Sequence, residues 1–163
     1  MPPTHLHTVR LELVPLTRDE LLKQIPEMPA EQRAEISPVW LARLNASAPV
    51  DPWVHGFLIT DRATGKTVGR CGFKGPPDTD GIVEIAYGID AEHQGKGYAT
   101  EAARALVEFA FDDSRIRLVR AHTLPQPNAS THVLTKCGFH HMGDVIDPED
   151  GPVWRWEIPK HQA

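Results

Sequence analysis

The run from Gly81 to Phe111 constrains this chain most: GIVEIAYGI, then DAEHQGKG, then YATEAARALVEFAF. The first piece is the most strand-like stretch of the sequence, and Glu84 interrupts its apolar run. The last piece sets Ala99, Ala102, Ala103, Leu106, Phe109 and Ala110 at helical spacing, which predicts a helix over about 97–112 with one buried stripe. Between them stand Gly95 and Gly97. A helix start leaves backbone N–H groups without intrahelical partners, and the helix dipole makes that end positive. Glycines there let the backbone come close to a ligand and take angles closed to other residues. The unit reads as a site for an anion, above all a phosphate.

The rest of the chain supplies elements to surround it. VRLELVP (9–15) alternates, with Val9, Leu11 and Leu13 on one face of a half-buried strand. Thr17 is placed to cap a short helix that Pro26 ends. A second helical stretch covers 31–47, where Pro38 allows two short helices in place of one. The runs 53–60 and 67–74 flank the turn DRATGK and predict an antiparallel hairpin. Residues 116–124 form a strand stopped by Pro125 and Pro127, and 129–139 a helix that Gly138 ends with a left-handed cap. Two final strands, 139–147 and 152–158, enclose DPEDG. The order is β-α-α-β-β-β-α-β-α-β-β, without repeat or linker, so residues 1–163 are expected to form a single α/β domain.

At 163 residues the chain suits one domain with a sizeable core. Its net charge of -5 argues against nucleic acid as a partner. No apolar run approaches the roughly 20 residues that span a bilayer, and MPPTHLHTVRLELV lacks the layout of a secretory signal. A cytoplasmic protein with no membrane partner is the expectation. Cys71 and Cys137 are expected as reduced thiols. His140 and His141 are adjacent, and His122, His132 and Cys137 lack zinc-site spacing, so no metal is expected.

Two phosphate motifs fail. A nucleotide P-loop puts four residues between its first glycine and Gly-Lys, whereas Lys96 alone separates Gly95 from Gly97. The dinucleotide fingerprint needs a glycine at position 100, which is threonine. QGKGYAT, with VEIAYGIDAEH before it and ASTHVLTKCGF after it, instead resembles the Gcn5-related N-acetyltransferase (GNAT) superfamily over roughly 81–140. It is most similar to the branch of ribosomal-protein N-terminal acetyltransferases. Gln94, Gly97 and Ala99 match the family's Gln/Arg-x-x-Gly-x-Gly/Ala pattern. The resemblance implies a GNAT-like fold, a mixed and mostly antiparallel central sheet flanked by helices. It also implies acetyl-CoA as cosubstrate, its pyrophosphate held by backbone amides of Gln94, Gly95, Lys96, Gly97, Tyr98, Ala99 and Thr100, with the Gln94 and Lys96 side chains assisting. The strand before the loop is implied to splay from its neighbour, so that the pantetheine arm pairs with Tyr87, Gly88 and Ile89. An amide there would polarise the thioester carbonyl, and Gly88 suits close approach.

Acetyl transfer needs a neutral amine, because an ammonium ion has no lone pair. Glu84, a carboxylate in an apolar run, is the candidate general base if partial burial raises its pKa. The family's second motif, Asn-x-x-Ser followed by a helix ending Lys-x-Gly-Phe, is matched by Ser130, Val133, Lys136, Gly138 and Phe139. Pro127 holds the usual asparagine place and Asn128 follows one residue later. Asn128 is a candidate both to cap the helix and to reach the pantetheine amide or a phosphate. Ser130 is the candidate acid for the leaving thiolate, since the tyrosine that many relatives use is absent. Val133 and Phe139 read as core.

The function expected is acetyl-CoA-dependent transfer to a primary amine by direct attack in a ternary complex. The alternative is a non-catalytic acyl-CoA-binding or regulatory module, and a kinase or ATPase lacks its motif. Protein N-termini, polyamines, amino acids and antibiotics all stay open as acceptors, as do monomer and homodimer. Selectivity is expected from residues 20–50 and the 74–80 loop, where Glu27, Glu31 and Glu35 are candidates to attract a cation.

Overall fold

The computed structural model describes residues 5–162; residues 1–4 and Ala163, counted in the expected domain, lie outside the described residues. Eight strands form one sheet: β1 (Leu6–His7), β2 (Leu11–Pro15), β3 (Phe57–Asp61), β4 (Thr67–Phe73), β5 (Ile82–Ile89), β6 (Leu118–Thr123), β7 (His140–Asp147) and β8 (Gly151–Pro159). Their spatial order is β1-β2-β3-β4-β5-β6-β8-β7, and every neighbouring pair is antiparallel except β5 and β6. The helices are α1 (Arg18–Gln24), α2 (Ala30–Ala34), α3 (Pro38–Ala46), α4 (Pro52–His55), α5 (Tyr98–Phe111) and α6 (Ala129–Lys136).

Two local expectations change and a third is met. The first long strand begins at Leu11, not Val9; Leu11 and Leu13 are buried while Val9 is 91% exposed. Pro38 does divide 31–47, giving α2 and α3, with Ser37 capping α3 through Trp40 N–H. The run 53–60 is strand only in its second half. Asp51 accepts from Trp53 N–H at 3.0 Å and Pro52 sits in the first turn, which makes the first half a short helix; Gly56 at φ 72° then turns the chain into β3. The order therefore gains β1 and short helices while the rest stands.

Helix α5 covers one face. Ala102, Ala103, Leu106 and Ala110 are fully buried, and these small residues let the helix lie close to Val83 and Ile85 of β5. Phe109 completes the packing against Trp53, Phe57 and Phe73, with ring centroids 5.3–5.9 Å apart. On the other face α1, α3 and α4 bring Leu16, Leu21, Leu44 and Val54 into a second, smaller cluster with Trp40 and Leu58.

The sheet is forked. β5 pairs with β6 only through Ile82, Val83 and Glu84, opposite Leu118, Val119 and Arg120. Beyond that point Tyr87, Gly88 and Ile89 pair with β4, and Ala121–Thr123 pair with β8.

Candidate active site

A cleft of about 470 Å³ opens in the fork, between the end of β5, the start of α5 and the start of α6. Tyr87, Gly88, Ile89, Gln94, Gly95, Gly97, Tyr98, Ala99, Thr100 and Ser130 all line it. Ten of the residues singled out from sequence are thus brought to one cavity by three separate elements. Lys96, Asn128 and Glu84 do not line it.

The loop before α5 owes its shape to Gly95 at φ 77° and Gly97 at φ 82°, the latter serving as the N-cap. No side chain caps this helix, so its first-turn N–H groups are left for a ligand. The start of α6 is different. Asn128 accepts from Thr131 N–H at 3.0 Å, and Thr131 Oγ1 accepts from Asn128 N–H at 3.0 Å. That reciprocal box occupies the Asn128 side chain in capping.

A strap of polar contacts fixes the α5 loop. Arg10 donates to the Lys96 carbonyl at 2.7 Å, lies 4.7 Å over the Tyr98 ring and pairs with Glu101 at 3.0 Å. Thr8 also bonds Glu101. Despite burial, the bonds from Thr8 and Arg10 hold the Glu101 carboxyl below its ordinary range. The Tyr98 hydroxyl donates to Asp61 at 2.8 Å, so that group is turned to the strap. Gln94 donates to the Ile89 carbonyl at 2.9 Å, tying the loop to the strand end. Lys136, His132 and His93 also line the cleft and supply polar or cationic groups that sequence reasoning left unassigned. Of these, Lys136 belonged to the second motif, and that was the available signal.

Tyr87 contributes more than backbone. Its hydroxyl lies 2.9 Å from Ser130 Oγ and donates to the Ser130 carbonyl at 3.3 Å. Burial pushes this phenol up to about 12, against the opposing effect of the Ser130 hydrogen bond. A tyrosine hydroxyl is therefore present beside Ser130, delivered from β5.

Glu84 points to the opposite face of β5 from Tyr87, as strand alternation requires. Lys74 Nζ and His122 Nδ1 each lie 3.0 Å from its Oε2. Neither approach has hydrogen-bond geometry, so this oxygen keeps acceptor capacity. Behind His122, Arg155 donates to Nε2 at 3.1 Å. A guanidinium only donates, which assigns the ring proton to Nδ1, the nitrogen nearer Glu84. Burial opposes the charge of Lys74, yet Glu84, Asp150 and Asp147 outweigh it and hold the ammonium above its ordinary range. The carboxylate that looked isolated in sequence is charge-paired in the fold.

A mixed sheet forked at its parallel pair, with an uncapped glycine-turned helix start in the fork, defines a class of protein able to hold an extended phosphate-bearing ligand between two strands. The chain belongs to the acetyltransferase (GNAT) domain family, which matches residues 4–140. It is 30% identical over 93 residues to the uncharacterized N-acetyltransferase p20 of Bacillus licheniformis, covering 57% of this chain and 52% of that protein. The chain thus spans about half the length of the curated relatives it matches, 52% and 56% for two of them. Solved structures share the fold. RimL, a ribosomal L7/L12 alpha-N-protein acetyltransferase in complex with coenzyme A, superposes with a TM-score of 0.69 at 17% identity, covering 96% of this chain and 98% of that one. Spermidine N-acetyltransferase from Vibrio cholerae, in complex with CoA and spermine, gives 0.68 at 16% identity, with 95% and 98% covered. Among the described residues no helix is long and apolar enough to cross a membrane, and no group of three His, Cys, Asp or Glu is placed to hold a metal.

Proposed function

We propose that this chain transfers an acetyl group from acetyl-CoA to a primary amine by direct attack in a ternary complex. The observation that carries the reading is the cleft itself, which joins an uncapped helix start to a strand edge with no β-partner on its open side. The residues fit the cosubstrate: the α5 amides and Lys136 suit its phosphates, and the edge at Tyr87–Ile89 suits its amide-bearing arm. Gly88 leaves that edge bare, for a Cβ there would meet nothing within 4 Å. Bound acetyl-CoA supplies the activated acetyl thioester.

The chain's own residues then handle protons. Glu84 accepts the proton of the incoming ammonium, directly or through water, so that the amine can attack. The Lys74 charge and the adjacent His122 ring position the carboxylate, and Arg155 holds His122. The Tyr87–Ser130 pair presents hydroxyl hydrogens where the sulfur leaves. Tyr87, a phenol that burial raises to about 12, is a protonated donor at neutral pH. The chemical nature of the family and the amine-acting relatives support the same reading, as does a site without a nucleotide motif.

Glu84→Gln tests it. General-base removal should lower kcat by about 10²–10⁴-fold at neutral pH, with the acetyl-CoA Kd unchanged by calorimetry. Full turnover in the variant would remove Glu84 from the mechanism. Acetyl-CoA binding with no thiol release over a broad amine and peptide panel would favour the non-catalytic module.

A further inference from the structure

A second hollow, of about 330 Å³, lies across the sheet from α5 and meets the first cleft at Tyr87. Its walls come from the other side of the molecule: Leu21 of α1, Ile25 and Met28 just after it, and Trp40 of α3. Its floor includes Ala86 of β5; Gly72, opposite it on β4, is covered by the backbone of Gly56, which also lines the hollow. Ala86 shares its face of β5 with Glu84, two residues or about 7 Å along the strand. Glu84 does not itself line the hollow, but lies on the same face of the strand, toward which a molecule seated there can extend an amine.

Its chemistry is selective. None of its lining residues is a carboxylate. Glu27, Glu31 and Glu35 are exposed and do not line it. His55 is buried with both ring nitrogens engaged, by Ser47 Oγ at 2.8 Å and Asp51 N–H at 3.1 Å, and burial depresses its basicity. Arg70 supplies the hollow with a charge. Its guanidinium donates to the neutral Gln24 amide at 2.9 Å and forms no ion pair with a carboxylate among the described residues. Arg70 stands opposite Gly88, four residues or about 13 Å along β5 from Glu84.

We infer that this hollow is the acceptor subsite, and that its ligand is a small monoamine on an apolar, aryl-sized body with an anionic group at the end away from the amine. This rests on the acetyl-transfer reading and narrows its acceptor. The apolar body lies on Ala86 between Trp40 and Met28, the amine extends along β5 toward Glu84 beyond the lining, and the anion pairs with Arg70. A polyamine fits poorly: its further ammonium groups would lose water against apolar walls and be repelled by Arg70. The volume is at the small end of the roughly 300–1,000 Å³ typical of ligand pockets, which also disfavours a multi-ring aminoglycoside.

The test uses a matched pair of probes, 4-(aminomethyl)benzoate and benzylamine, with spermidine and kanamycin as contrasts. Binding of each to the full chain is measured by calorimetry with and without CoA, and turnover by thiol release. The benzoate should bind at least about tenfold more tightly than benzylamine, as expected for a charge-assisted pair. Arg70→Gln should erase that preference while leaving benzylamine unchanged. Met28→Trp, which fills the hollow from a half-buried loop position, should weaken both aromatic amines at least tenfold and leave the acetyl-CoA Kd alone. Tighter binding of spermidine or kanamycin, a preference that survives Arg70→Gln, or no aromatic amine binding in a chain that binds acetyl-CoA would each overturn the inference. If the aromatic amines bind as described but are not acetylated, the subsite stands and the transfer reading fails.

Discussion

Replacing Gly97 with alanine tests the α5 loop as a built anion cradle. At φ 82° a residue with a Cβ is held in the left-handed region, at roughly 1–2 kcal/mol. The new Cβ would also lie 3.2 Å from Arg10 Nη2. That is the tip of a flexible side chain and can shift, but the other terminal nitrogen, Nη1, donates to the Lys96 carbonyl, and the guanidinium stacks on Tyr98. Weakening those contacts adds about 1 kcal/mol. Two responses are open to the variant. Either the loop keeps its shape and the unliganded protein loses about 2–3 kcal/mol, a fall in Tm of roughly 5–10 °C for a chain this size, or the loop relaxes to negative φ. Relaxation turns the first-turn amides away from the ligand and raises the acetyl-CoA Kd at least about tenfold, each factor of ten being ~1.4 kcal/mol. Differential scanning calorimetry with and without CoA separates the two. Gly95→Ala is the control: φ is 77° but nothing lies within 4 Å of the added carbon, so it carries the backbone strain alone. A Gly97→Ala protein with both Tm and Kd unchanged would refute the argument, since the strain must appear in one of them.

Other consequences are more local. Asn128→Ala removes half of the capping box, so stability should fall by about 0.5–2 kcal/mol with the acetyl-CoA Kd unmoved; a large loss of affinity would mean that Asn128 reaches the ligand after all. Both tyrosines of the chain have phenols raised above their ordinary value, Tyr87 to about 12 by burial and Tyr98 by its bond to Asp61. The folded protein therefore holds those protons more tightly than the unfolded chain, and their contribution to stability is present below about pH 10 and lost as pH rises toward 12. An ultraviolet titration should show little tyrosinate until past pH 10, and an ordinary phenol curve in the native state would contradict it. For Glu101 the sign reverses: its carboxyl is held low by Thr8 and Arg10, so its contribution is present above the unfolded carboxylate range and lost as pH falls. Arg10→Gln should lessen that acid sensitivity and weaken acetyl-CoA binding through the Lys96 carbonyl it releases.

The local part of the site was legible because it is written in consecutive residues. Gly95 and Gly97 ahead of an apolar stripe announce an anion-ready helix start, and the structure turns the chain at both. Asn128 ahead of the 129–139 helix announces a cap, which forms with Thr131 as its reciprocal partner. What could not be read depends on which strands become neighbours. Glu84 meets Lys74 just after β4, His122 on β6 and, through it, Arg155 on β8. The first two contacts need β5 between β4 and a parallel β6, and the third needs β8 to return beside β6 instead of beside β7 alone; no spacing in the sequence announces either arrangement. The Tyr87–Ser130 contact hides for the same reason, with 43 positions between two residues that the fork brings together. Val9 misled because alternation extends past the point where β2 finds a partner; beyond Leu11 the chain turns, so apolar character there buries nothing.

The fork is a structural feature and not a frayed edge. Past Glu84 the two strands separate, yet neither is loose. β5 keeps its register with β4 through Tyr87, Gly88 and Ile89, and β6 keeps its register with β8 out to Thr123, where Trp156 Nε1 donates to the buried Thr123 hydroxyl at 3.1 Å. Each strand is held on its outer side and left without a β-partner on its inner side. Two inner edges that face one gap cannot pair with each other, so an extended ligand with amide groups can add to one as a further strand. The vertex of the fork is Glu84, the last residue of β5 paired to β6. That carboxylate stands three residues before Tyr87, where the ligand cleft and the apolar hollow meet. On the proposed mechanism the fork would set the distance between Glu84 and the thioester by strand register, which no side-chain substitution along the cleft can change.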